Sequence, residues 1–254
     1  MDMIYMDNAA TTKMSENAYN VMAETARNAW GNPSSMHAAG RAAAKALREA
    51  RQTCAELLGA DRDEIYFTSG GSEADNWAIR GAAALGRKKG KMHLITSTIE
   101  HHAVLHTMQA LEKEGFRVTY LPVDGEGLIS PSAVEEAICD ETCLVSIMAA
   151  NNEIGTVEPI AEIGEICRKK GVLFHTDAVQ ALGHIAINTE KQKIDLLSAS
   201  AHKFNGPKGV GLLFCRKGIR LPNLIEGGAQ ERGRRGGTEN VPGIAAMAAA
   251  LRDA

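Results

Sequence analysis

Apolar positions along this chain switch between two spacings, and the switching predicts a repeated strand–helix order. Ser15–Ala29 and Ala42–Leu58 carry helical spacing, and in the second Ala43, Leu47, Ala50, Cys54 and Leu57 fall on one stripe. Short apolar runs at Ile65–Phe67, Met92–Ile95, Val118–Leu121, Leu144–Met148, Val172–Phe174 and Leu196–Leu197 read as strands. Helical segments fall between several of them, at Ser72–Arg87, Val104–Glu114, Pro131–Ile138 and Pro159–Lys170. Gly209–Cys215 follows too soon for a helical crossover, so it is expected to run antiparallel. The order predicts an α/β fold of three layers, α-β-α, with a mostly parallel sheet and one antiparallel strand. No linker, repeat or low-complexity segment divides the chain, so one large domain (15–254) is expected after an N-terminal segment (1–14). The last stretch, Pro242–Ala254, puts Ile244, Met247, Ala248 and Leu251 on one helical face with nothing after it, which suggests a missing neighbour.

Composition acts mainly by exclusion. Of 254 residues, 44% are hydrophobic and 23% charged, ordinary for a globular protein. A net charge of -3 gives no reason to expect a nucleic-acid or anionic-membrane partner. The N-terminal MDMIYMDNAATT has no apolar core of the kind a signal peptide needs, and no apolar run approaches membrane-spanning length. Five scattered cysteines argue for reduced thiols in a cytoplasmic setting. Cys139 and Cys143 could form half a metal site, but no histidine stands at ligand spacing, so core packing is the expectation for both and no metal is expected.

In parallel α/β sheets the functional groups collect beyond the carboxyl ends of the strands, and here those ends carry complementary chemistry. After Ile65–Phe67 comes TSGGSEADN, a Gly-Gly turn opening a helix. That is an anion site if its N–H groups are free, or an ordinary helix start with Ser72 as cap. It is not a dinucleotide fingerprint, since the G-x-G-x-x-G spacing is absent. His101 stands at a strand-to-helix junction, Asn151 and Asn152 in a turn, and Asp177 just past a strand that should be central. Lys203 leaves an apolar run into the turn AHKFNGPKG, where a partly dry amine has a lowered pKa and can condense with a carbonyl. An amine, an anion cradle and a carboxylate together suggest pyridoxal 5'-phosphate, whose aldehyde, phosphate and pyridine nitrogen need those three groups.

The segments TSGGSEADN, IEHHAV, NNEIGTVEPI, FHTDAVQ, SASAHKFNGPKG and RGRRGGTEN closely resemble those of NifS/IscS-type cysteine desulfurases, class V members of the fold-type I pyridoxal-phosphate enzymes. The resemblance runs from Met6–Thr12 to Asn240. It implies that Lys203 bonds the cofactor, Asp177 pairs with the pyridine nitrogen, and His101 stacks on the ring and assists proton transfers. It implies further that Gln180 and Asn152 lie near the phenolic oxygen, and that Gly71, Ser72, Ser200 and His202 hold the phosphate. Thr238 would reach the phosphate of a partner subunit in a homodimer, and the RGRR before it would supply a basic loop for an anion there. The implied reaction converts L-cysteine to alanine and passes the sulfur, as a protein persulfide, to an acceptor protein for iron–sulfur assembly or tRNA thiolation. The family's persulfide cysteine and substrate-carboxylate arginine belong to a C-terminal small domain that has no counterpart here, so a large domain without its small one is expected, and none of the five cysteines is assigned as nucleophile. The alternatives are another class V enzyme, an aminotransferase or selenocysteine lyase, and a non-catalytic paralogue acting as a binding protein.

Overall fold

The computed structural model describes residues 4–254; the first three residues of the expected N-terminal segment lie outside it. Seven strands form one sheet: β1 (Ile65–Thr68), β2 (His93–Ser97), β3 (Arg117–Leu121), β4 (Thr142–Ser146), β5 (Leu173–Asp177), β6 (Leu196–Ser200) and β7 (Gly211–Cys215). Their order across the sheet is β1-β7-β6-β5-β4-β2-β3. From β3 to β6 every pairing is parallel, and β7 runs against both β6 and β1. The expected architecture is therefore the observed one, with β5 at the centre.

Neighbouring strand residues point to opposite faces, and the two faces bury separate cores. Ile95, Val145, Leu197 and Leu212 belong to one; Leu94, Leu144, Leu196 and Leu213 belong to the other. The second core is covered by α3 (Gly71–Arg87) and α4 (His102–Lys113), through Trp77, Ile79, Val104 and Met108. Over the first lie α2 (Ala38–Leu58), α5 (Pro131–Ala137), α6 (Ile160–Lys170) and α8 (Val241–Asp253), with α1 (Glu16–Asn28) packed on α8 and the single turn α7 (Gln230–Gly233) at an edge. None of these helices is long and apolar enough to cross a membrane.

Three differences from the sequence reading have local causes. Helix α2 starts a turn early because the His37 ring caps it, Nδ1 accepting from Gly40 N–H at 3.3 Å, where the glycine pattern suggests loop. Strand β4 ends at Ser146 rather than Met148, because the Met148 N–H is taken by the Glu100 carboxylate at 3.0 Å. Strands β5 and β6 extend through His175, Thr176, Ser198 and Ser200, polar residues that are buried and so escape a search for apolar runs. The last helix corrects an expectation outright. Ile244, Met247, Ala248 and Leu251 are all buried, and α8 packs on α1 and α2, so the stripe has its neighbours within the chain.

Candidate active site

A cleft of about 500 Å³ opens beyond the carboxyl ends of the central strands. Nine of the ten expected site residues line it: Gly71, Ser72, His101, Asn152, Asp177, Gln180, Ser200, His202 and Lys203. Thr238 does not; it is exposed beyond α7.

At one end stands the start of α3. Gly70 takes φ 154°, which L side chains avoid, and serves as N-cap. A Cβ on Gly71 would meet Val179 Cγ2 at 2.6 Å, so backbone and β5–β6 loop approach as closely as they do only because the residue is glycine. Ser72 is the second helical residue and not the cap. The first N–H groups of α3 have no partner within the helix, and Gly71 and Ser72, which carry two of them, line the cleft at the end of the helix where its dipole favours an anion. Ser200, at the end of β6, stands beside them. His202 hydrogen-bonds through Nδ1 to Thr11 Oγ1 (3.0 Å), and burial, then Lys203 and Lys208, lower its pKa.

Asp177 is the last residue of β5 and its Oδ1 accepts from Val179 N–H at 2.9 Å. Burial raises its pKa, against the Val179 hydrogen bond and the nearby His101 and Lys203. Lys203 ends a short 3-10 turn directly after β6; burial lowers its amine pKa while Asp177, Asp7 and Glu153 pull the other way. Its Nζ donates to the carbonyls of Ala9 and, at 3.0 Å, Ala10. His101 caps α4, its Nδ1 accepting from Ala103 N–H (3.1 Å), which fixes the ring proton on Nε2. Asn152 donates to Glu153 Oε1 (2.7 Å), whereas its neighbour Asn151 is spent on its own turn, Oδ1 accepting from Glu153 and Ile154 N–H.

The N-terminal segment forms a wall of the site. Asp7, Ala9 and Ala10 line the cleft, Gln180 Nε2 donates to the Ala9 carbonyl (2.7 Å), and Thr12 N–H and Oγ1 both donate to the His202 carbonyl at 2.9 Å. Sequence reasoning also missed Asp75, which lines the floor at 1% exposure. Its place on the same helical stripe as Gly71, Ala78, Ile79 and Ala82 was the available signal.

Two further expectations need correction. The RGRR arginines are engaged within the chain: Arg235 makes a two-pronged bond to Glu73 (2.9 and 3.0 Å), Arg234 donates to the Leu221 carbonyl, and Arg232 donates to Asp63 and Ile65 carbonyls while lying 4.3 Å over the Tyr66 ring. The loop is tied down by its own charges. Cys139 is exposed rather than core, and the fold brings His93 to it from β2, Nδ1 to Sγ 3.6 Å. Cys54, Cys143, Cys167 and Cys215 are buried, no cysteine lines the cleft, and no metal-binding cluster occurs among the described residues.

An amine, a buried carboxylate and an open helix N-terminus in one cleft match the aldehyde, pyridine nitrogen and phosphate of pyridoxal phosphate. A Cβ on Gly70 would meet only Ser200 Oγ, at 3.8 Å, so the backbone at the α3 N-cap leaves open space beside Ser200 for a phosphate. The family model for aminotransferase class V matches residues 4–253. A protein named cysteine desulfurase IscS from Methanosarcina thermophila is 56% identical over 96% of this chain, and one of the same name from Clostridium botulinum is 55% identical over 98%. The chain spans 60% and 62% of their lengths. Among solved structures, a NifS-like protein superposes with TM-score 0.95 at 44% identity, covering 98% of this chain and 69% of that one. A structure described as SspA in complex with cysteine gives 0.95 at 43%, covering 98% and 72%. On sequence, fold and site together, this chain belongs to the class V aminotransferase family of pyridoxal-phosphate enzymes.

Proposed function

We propose that this chain forms the cofactor-binding large domain of a cysteine desulfurase. The observation that carries the reading is the meeting of Lys203, Asp177, His101 and the α3 N-terminus in one cleft; the names of the relatives supply the substrate. Lys203 holds the aldehyde end of pyridoxal phosphate, Asp177 the protonated ring nitrogen, and His101 the ring face. Gly71, Ser72, Ser200 and His202 hold the phosphate, Gln180 and Asn152 lie by the ring oxygen, and Thr238 reaches the phosphate bound by a second copy in a homodimer. Once bound, the cofactor supplies an electron sink for charge developing at the substrate Cα. The Lys203 amine, its pKa lowered by burial, is the base for the Cα proton, and His101 Nε2–H is a donor beside it. The overall conversion is L-cysteine to L-alanine, with the sulfur atom passing to a cysteine thiolate as a persulfide, then to an acceptor protein for iron–sulfur assembly or tRNA thiolation, in the cytoplasm.

Mixing the protein with pyridoxal phosphate should produce a visible absorbance band that Lys203→Ala abolishes; identical spectra from the two proteins would sink the cofactor assignment. No thiol lines the cleft among the described residues, so L-cysteine should yield no more than trace sulfide. Robust turnover by this chain alone would overturn the claim that the accepting thiol is elsewhere. In a longer chain that carries the accepting thiol, alanine as the product, rather than a keto acid, separates a desulfurase from an aminotransferase.

A further inference from the structure

The turn ahead of α1 reaches into the cleft and takes hold of Lys203. The lysine Nζ donates to the main-chain carbonyls of Ala9 and, at 3.0 Å, Ala10, so its partners are two neutral dipoles and not a carboxylate. Asp177, Asp7 and Glu153 lie near enough to favour its charge. Other carbonyls of the turn are spent: that of Asp7 accepts from Ala10 N–H at 3.1 Å, and that of Thr11 faces the Tyr5 hydroxyl at 2.9 Å. The Ala9 carbonyl takes a second bond, from Gln180 Nε2 at 2.7 Å. Thr12, which is buried, fastens the turn to the segment that carries the lysine. Its N–H and Oγ1 both donate to the His202 carbonyl at 2.9 Å, and Oγ1 accepts from Asn205 N–H at 2.7 Å. Thr11 Oγ1 adds a bond to His202 Nδ1 at 3.0 Å.

An ammonium has three N–H donors, whereas a lysine nitrogen bonded to a carbonyl carbon keeps at most one. Two carbonyls converging on Nζ therefore suit the free, charged lysine better than the bonded one. We propose that the Ala9 and Ala10 carbonyls are a receiving site for the Lys203 ammonium, with Thr12 as the positioning residue that holds them there. The use of this site rests on the cofactor reading above, in which the lysine nitrogen alternates between its bonded and free states. When the free amine takes the Cα proton on its lone pair, the new N–H finds an acceptor in the wall of the cleft. Without the turn, that charge would form in a half-buried place with only solvent to meet it.

Proton–nitrogen NMR of the full chain with isotope-labelled lysine side chains reads the ammonium directly. In the free protein at neutral pH, the Lys203 protons should exchange with water about tenfold more slowly than those of exposed lysines, because two carbonyls hold them. Lys203→Ala identifies the signal by its loss. Thr12→Val removes the hydroxyl and should speed that exchange about threefold, and Thr12→Ser, which keeps it, should restore the parent rate. Backbone amides of β5 and β6 should exchange alike in the parent and both Thr12 variants, which tells a loosened turn from a loosened fold. Lys203 protons that exchange as fast as surface ones overturn the receiving site, and that is measured in the unaltered protein. Thr12→Val at the parent rate overturns the positioning role. Loading with pyridoxal phosphate should remove the signal as the band appears, and hydroxylamine, which takes the aldehyde from the lysine, should bring it back. If it stays away, the lysine does not return to the turn and the proposal fails. A slow signal with no band sinks the cofactor reading and leaves the receiving site standing. A band from a protein whose free Lys203 exchanges fast does the reverse.

Discussion

The five thiols differ more in chemistry than their spacing along the chain suggests. Burial pushes Cys54, Cys167 and Cys215 up to about 12 and Cys143 to about 11, which leaves them protonated at neutral pH. Cys139 goes the other way: the Thr142 hydroxyl donates to its sulfur at 3.5 Å and the Arg117 guanidinium at 3.1 Å, both favouring the thiolate. A small alkylating reagent at neutral pH should therefore label Cys139 alone, and Cys139→Ser should abolish the labelling. Mass-spectrometric detection of adducts on the other four in the folded protein would contradict this. Nothing in the sequence separates Cys139 from Cys143, four positions on. The difference comes from the burial of Cys143 and from Thr142 and Arg117 around the exposed Cys139, and Arg117 reaches that sulfur only when β3 is laid beside the end of α5.

At the scale of elements, the alternation of spacings placed every strand and seven of the eight helices, because each buries an apolar stripe that the chain must advertise. The exception, α7, has no such stripe and is held by charge. The Arg51 guanidinium of α2 grips Glu231 through two bonds of 2.7 and 2.6 Å, and the second function of that carboxylate is to accept from Phe67 N–H on β1. Glu231 and Arg232 hold positive φ angles of 45° and 58°, a conformation that needs such a clamp to persist. Glu231→Ala leaves the Arg51 charge buried and unpaired, and should cost about 3–5 kcal/mol in urea unfolding. An Arg51→Met, Glu231→Met double variant should lie much closer to the parent protein. If the single variant were as stable as the parent, the clamp would not be holding the segment. The arginine-rich RGRR reads as an anion loop for the same reason: the glutamate and carbonyls that claim it are far away in sequence.

For the molecule as a whole, acids enclosed beneath the cleft set the response to pH. Glu100 is pushed from 4.5 up to about 8 by burial, so the folded protein keeps a proton that the unfolded chain releases. Its contribution to stability is full below pH 4.5 and is lost as pH rises through 8. Glu100→Gln keeps an acceptor for Ser97 Oγ and Met148 N–H and should flatten the stability profile across that window, with the remaining slope shared by the other raised acids, Asp75, Glu158 and Asp177, and by the histidines that burial lowers. An unchanged profile would show that Glu100 ionises normally. This buried acidity was the least legible part of the site. Lys203, Asp177 and Ser72 could be read because they stand at strand ends beside turn residues, whereas Asp75 and Glu100 look in sequence like solvent-facing acids near a helix start.

The pairing of α1 with α8 bears on the order in which the molecule assembles. Asn17 Nδ2 donates to Asp253 Oδ2 at 2.7 Å, a contact that spans 236 positions, and Lys203 reaches back 193 or more to Ala9 and Ala10. Because the entropy of closing a loop grows only logarithmically with its length, such distances cost little at equilibrium. They weigh on the rate instead, since contacts so remote in sequence cannot reward the chain until nearly everything between them is in place. The β2–β6 region, built from nearer neighbours, can organise first, and the wall of the cleft closes last, when the two outermost helices find each other.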